Sequence, residues 1–219
     1  MNRLVSLRLR LLAALSLVTL IFMVNGCMGP LLTAMYLAGA ADVKAEYDGL
    51  KKKKVVVVCQ TMTDLKYGNM NASTDIAKDV AALLKSNIRS LKLVDPRSVD
   101  KWIDENNVDE PADVGRALGA DMVVVVELED FSILLDQTLY QGHASYTLKV
   151  IDCKTGEVAF ETTPPNVCWP PNSPVPTQEK SDSQFRKQFV MVLSSQIARH
   201  FYSYDPRETF AEDAMSFGK

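Results

Sequence analysis

The side chains best suited to chemistry in this chain are four cysteines, two histidines and one run of carboxylates. His143 and His200 lie far apart in sequence. Zinc sites usually draw Cys or His in closely spaced pairs, and neither CxxC nor HExxH occurs. No metal and no cofactor is therefore expected, and both imidazoles read as surface or packing residues. The glycine-rich phosphate patterns and the GxSxG nucleophile pattern are also missing from the sequence. Glu127, Glu129 and Asp130, with Asp136 nearby, form an acidic patch with two readings. It is a site for a cation or a basic partner, or a charged strand edge that discourages aggregation. No constellation in the sequence demands an enzyme, and the expectation is that the chain is not one. An enzyme of unrecognised type is the weakest alternative.

Cys27 stands in a different context from the other thiols. Residues 1–26 contain Arg3, Arg8 and Arg10 and no acid, and LLAALSLVTLIFMV (11–24) is one apolar run. A basic start followed by such a run predicts a signal peptide over 1–26, too short for a membrane helix of about 20 residues. Val24-Asn25-Gly26-Cys27 resembles the bacterial lipobox, in which the cysteine is diacylated and becomes the new amino terminus. Asn25 departs from the small or apolar residue usual at its place. The resemblance implies lipidation of Cys27 and a cell-envelope location, with the membrane as partner through the acylated cysteine. In lipoproteins of two-membrane bacteria, an aspartate after the cysteine commonly signals inner-membrane retention. Met28 stands there instead, which tilts the expectation to the outer membrane, facing the periplasm. Residues 27–50 read as a short tether, without the Pro-rich or Gly/Ser-rich composition of a long spacer.

The elements that would position these groups follow from periodicity. The chain is 47% hydrophobic and 23% charged, with a formal charge of −3. That allows one well-filled core and gives no basic face for nucleic acid. KKKKVVVVCQ (51–60) predicts a strand buried on both faces, entered through a solvated basic run. Residues 73–90 carry Ile76, Val80, Leu84 and Ile88 at steps of four, a helix capped near Ser73. LKLV (91–94) is a short strand stopped by Asp95-Pro96. Residues 97–107 and 111–120 are two further helices, the second ended by Gly119. DMVVVVELEDFSILL (121–135) is a second valine-rich strand, apolar at first and alternating later. Residues 140–152 and 157–163 form a hairpin about the turn CKTG (153–156). The stretch 163–178 holds six prolines and reads as an irregular loop. Residues 181–202 are a closing helix with Phe185, Phe189, Leu193, Ile197 and Phe201 at steps of four, and Ser181 with Gln184 makes a capping box. The order βαβααβββα predicts a single α/β domain with a mixed sheet over 51–203 and a tail over 204–219.

Two stretches carry a wider resemblance: Gly119-Ala120-Asp121 leading into the valine run, and Asp152-Cys153-Lys154-Thr155-Gly156-Glu157 closing a strand. They resemble a superfamily of bacterial envelope domains. It includes the amino-terminal domain of TolB, the curli-secretion lipoprotein CsgG, and the LpoB-like activators of penicillin-binding proteins. The likeness covers about residues 51–203. It implies an envelope interaction or regulatory module, in wall synthesis or secretion, acting on an unknown envelope protein. A structural subunit of an oligomeric envelope complex is the alternative. The chain has no sequence left for a TolB-type propeller, and no paired apolar hairpins for a CsgG-type pore.

Two expectations concern individual residues. Trp169, between Cys168 and Pro170-Pro171, is either an exposed anchor for a partner or a plug at the end of the core. An oxidising compartment makes a disulfide among Cys59, Cys153 and Cys168 possible. The strand order places Cys59 and Cys168 at one edge of the sheet and Cys153 at the other. Cys59–Cys168 is therefore the favoured pair if one forms, and three free thiols are the alternative.

Overall fold

Val55, Val56, Val57 and Val58 are all buried, although they point alternately to opposite faces of a strand. That pattern requires cover on both sides, and the chain supplies it. The computed structural model describes residues 42–61, 66–106 and 110–207, with side chains of its first helix from Ala72 onward. The expected signal peptide 1–26, Cys27, the expected tether up to residue 41 and the tail from residue 208 lie outside the described residues.

The elements are β1 (Lys54–Thr61), α1 (Lys66–Asn87), β2 (Lys92–Leu93), α2 (Pro96–Glu105), α3 (Pro111–Ala117), β3 (Met122–Leu134), β4 (Leu139–Asp152), β5 (Val158–Thr162), β6 (Val167–Trp169), β7 (Val175–Pro176) and α4 (Asp182–Arg199). The sheet runs β2-β1-β3-β4-β5, with β6 and β7 also pairing with β4. β2, β1 and β3 are parallel, while β4 is antiparallel to β3. The α/β class, the mixed sheet and the predicted order are the observed ones, with β6 and β7 added in the proline-rich stretch.

Val55 and Val57 of β1, and Met122, Val124 and Val126 of β3, join Ile76, Val80 and Leu84 of α1 and the phenylalanine stripe of α4 in one core. Val56, Val58, Val123 and Val125 point the other way and meet Val99 of α2 and Ala112 and Val114 of α3. Each fully buried valine stabilises the fold by about 1.5–3 kcal/mol, an upper bound because the unfolded chain already hides some surface.

The two turns singled out in the sequence do identifiable work. Gly119, at φ 64, ends α3 in the left-handed region that glycine enters without a Cβ clash. Asp121 then hooks the two central strands together. Its carboxylate accepts from the Lys54 amide at 2.8 Å, and its amide donates to the Lys54 carbonyl at 2.7 Å. Lys54 is not merely solvated, since its ammonium donates to the Leu118 carbonyl at 2.7 Å and satisfies the end of α3. At the β4–β5 turn, the Asp152 carboxylate accepts from the amides of Lys154 and Thr155 at 2.8 and 3.3 Å. Those bonds, led by the Lys154 amide, hold its carboxyl below the usual range.

Some boundaries differ from expectation. α1 begins at Lys66, so Ser73 lies inside it rather than capping it. Gly68, Asn69 and Asn71, poor helix formers, conceal its first turns. α2 is capped by Asp95, whose side chain accepts from the Arg97 amide. The capping box of Ser181 and Gln184 is present at α4. Residues 43–50, expected in the tether, pack on the domain: Leu50 is 1% exposed and Tyr47 stacks on Phe160 at 5.2 Å.

Gly142 on β4 gives a test of the sheet–helix packing. A Cβ there would lie 2.4 Å from the buried ring of Phe189 on α4. Gly142→Ala is expected to cost about 1–3 kcal/mol by overpacking. It should lower the urea midpoint with little change in slope, and an unchanged midpoint would contradict this packing.

Candidate functional site

The expected site residues do not converge. His143 sits mid-way along β4, opposite Cys168 of β6, whereas His200 follows the last turn of α4. Among the described residues, no group of three or more His, Cys, Asp and Glu is arranged to hold a metal ion.

Trp169 lies opposite Gly142 and points into the core, 1% exposed, with its ring 5.4 Å from that of Phe185. The exposed-anchor expectation does not fit that placement, because pairing of β6 with β4 turns the indole toward α4. Cys59, Cys153 and Cys168 are free. Cys59 pairs with Val126 on β3, and Val126 with Leu148 on β4, whereas Cys168 pairs with His143. The two thiols are thus three strand spacings apart, roughly 14 Å, with roughly 17 Å of stagger. A bridge needs Cα atoms within about 7 Å, so the Cys59–Cys168 pairing is not formed. β6 enters the sheet beyond β4 rather than beside β1, a placement that the strand order read from sequence did not contain.

The acidic patch separates into individual arrangements. Glu127 accepts from Lys149 at 2.9 Å, and Glu161 reaches the same ammonium at 3.6 Å. Glu129 accepts from the Thr147 hydroxyl at 2.8 Å. Asp136 accepts from the amide and hydroxyl of Thr138 at 2.7 and 2.9 Å. Asp130 is exposed on the strand.

Concavities that involve ionisable groups include one of about 560 Å3, lined by Asp75, Asp79, Asp182, Arg186 and Lys187, and two smaller ones. One, about 320 Å3, lies between α1 and α2 at the carboxyl end of β1, where crossovers leave on opposite faces of the sheet. Such a position commonly receives ligands in open α/β sheets. Its floor includes Cys59, but burial pushes that thiol up to about 12, so it is no thiolate nucleophile.

The other of these two, about 430 Å3, is the candidate site, and Val43, Glu46, Tyr146, Arg199, His200 and Tyr204 help to line it. Val43 and Tyr204 exchange backbone hydrogen bonds at 2.9 and 3.1 Å, and the amides of Glu46 and Tyr47 both donate to the His200 carbonyl. The His200 ring lies between Glu46, at 3.0 Å, and the Tyr146 hydroxyl, at 3.4 Å. Arg199 is 6% exposed and sits over the Tyr204 ring at 4.9 Å. Burial, then the Glu46 charge, pushes the Tyr146 phenol well above its usual range. The arrangement clamps the incoming segment and presents no activated nucleophile. No sequence signal announces it, because its parts come from four distant stretches.

Comparison with known proteins gives structural likeness alone. No protein-family model and no curated protein sequence matches the chain. Among solved structures, a PelC dodecamer from Paraburkholderia phytofirmans is similar at 12% identity and TM-score 0.42, over 73% of this chain and 94% of that one. Lipoprotein GNA1162 from Neisseria meningitidis is similar at 14% identity and TM-score 0.40, over 66% and 96%. The LpoB C-terminal domain from Escherichia coli is similar at 15% identity and TM-score 0.37, over 65% and 96%. At that level of likeness no residue role transfers.

The raised Tyr146 phenol makes a prediction for alkaline stability. An unfolded tyrosine ionises near pH 10. The folded phenol stays protonated there, so its contribution is present below about pH 10 and lost as pH rises further. The stability gap between Tyr146→Phe and the wild type should therefore be constant up to about pH 10 and shift in the variant's favour above it. A gap that is constant with pH in urea titrations would contradict the assignment.

Proposed function

We propose that the protein is a lipid-anchored module of a bacterial cell envelope that acts by binding other envelope proteins, in a regulatory role. The observation that carries this is the basic start, the apolar run 11–24 and Gly26-Cys27. Cleavage before Cys27 would leave 219 − 26 = 193 residues. Two or three acyl chains on that cysteine would anchor the chain stably, where one would hold it only marginally. Met28 supports the outer membrane as destination.

The described fold suits that arrangement. From Cys27 to Asp42 the chain advances by 42 − 27 = 15 residue steps, a reach of at most about 50 Å. The segment after it is fixed to the domain by the Val43–Tyr204 pairing and by His200. A tethered domain is then held near a surface rather than released at the end of a long spacer. Wall synthesis or secretion would be the processes within reach.

The test is Cys27→Ser in the full chain. The wild type is expected in the membrane fraction with an acylated amino-terminal cysteine by mass spectrometry, and the variant in the soluble fraction. A variant that stays equally membrane-bound, with a wild-type amino terminus that is unmodified, would overturn the proposal.

A further inference from the structure

We propose that Leu134 and Leu135, at the tip of the β3–β4 hairpin, are the docking anchor for a partner protein that presents an apolar notch with a basic rim. This rests on the reading of the chain as an interaction module.

The first support is exposure. Leu134 and Leu135 are 45% and 48% exposed, and among the described residues they are the large apolar pair exposed side by side. Isolated exposed leucines need no explanation, but two in succession at the end of one hairpin concentrate apolar surface there. The second is rigidity. The Leu135 amide donates to the Leu139 carbonyl at 3.0 Å, and Asp136 braces the turn by accepting from Thr138. The Thr138 carbonyl in turn accepts from the Thr177 amide at 2.9 Å. At the base of the tip, Phe131 packs on Phe189 and Tyr140 stacks on Phe185, with ring centroids at 5.2 and 4.9 Å. An anchor that is already ordered loses little freedom on binding.

The third is charge. From Glu129 to Leu148 the hairpin contains Glu129, Asp130 and Asp136 and no Lys or Arg. Hydrogen bonds led by the Thr138 amide keep the Asp136 carboxyl below its usual range, so the tip stays negative. Lys149, the next base along β4, is engaged by Glu127. The fourth is position. The tip lies at the amino end of α4, where the Tyr140 hydroxyl donates to Asp182. The incoming segment is fixed at the other end, on the His200 carbonyl. α4 has 18 residues, which separates the two ends by about 27 Å. Negative charge opposes an anionic bilayer and a tip-to-tip second copy alike. A protein with basic groups around an apolar notch satisfies both features of the tip.

The test places the photo-crosslinking residue p-benzoylphenylalanine at position 135 of the full chain in its native envelope, with position 191 as an exposed control. The expected result is an adduct with a different protein, whose crosslinked peptide has Lys or Arg beside apolar residues. Its yield should fall severalfold with Asp130→Asn and Asp136→Asn together, which remove charge yet keep the turn acceptor. It should also fall with added salt. An adduct with lipid, an adduct with a second copy, no adduct, or one insensitive to both charge and salt would overturn the inference. Thermal melting of each variant checks that the domain is folded. Mass analysis of Cys27 in the same membranes separates the two claims. A lipidated, membrane-bound chain without the adduct sinks the docking tip alone, whereas an unmodified Cys27 sinks the anchoring.

Discussion

The burial of β1 and β3 on both faces is the constraint from which the rest of the structure follows. Val56, Val58, Val123 and Val125 need a helical layer opposite the one that covers Val55, Val57, Val124 and Val126. One layer alone would leave four valines in water, at a cost of about 1.5–3 kcal/mol each. The chain meets the demand by sending its crossovers to opposite faces, α1 to one and α2 with α3 to the other. The parallel register of β1 and β3 is closed by the reciprocal Lys54–Asp121 bonds.

Where α2 and α3 end, the same face turns polar. Glu127, Thr147 and Lys149 replace valines, and their side chains are satisfied across the strands. Beyond them the hairpin of β3 and β4 continues with its other face packed on α4, while on this face Gln141 is buried and donates to the Pro170 carbonyl. A bulge between Leu128 and Asp130 and another between Ser132 and Leu134 break the ladder as it leaves the two-sided region. The domain thus has a firmly buried centre, an end where the incoming chain is clamped around His200, and an end where an acidic hairpin carries two exposed leucines.

Much of this is legible in the sequence because it is local. The valine runs, the steps of four in α1 and α4, and the Ser181 box each declare themselves within about twenty residues. The Asp152–Glu157 turn is equally readable, since Asp, Thr and Gly supply its bonds and its positive φ. What stayed hidden depends on pairing across distance. β6 and β7 exist because Cys168 meets His143 and Val175 meets Tyr140, and prolines around them suggest only loop. The same pairing buried Trp169 and carried Cys168 away from Cys59. The clamp on the incoming segment joins Glu46, Tyr146, His200 and Tyr204, residues with no common periodicity.

The central physical claim is that the two-faced strand pair is the last part of the fold to open, and that the hairpin tip is not. Native-state hydrogen exchange measures this directly. The amides of Val56–Val58 and Val123–Val126 are expected to exchange only through global unfolding, tracking it in urea. Amides around Leu134–Leu139 should exchange by smaller, urea-independent openings. Exchange at the valine pair through local opening, at or above the rate of the hairpin tip, would contradict the account.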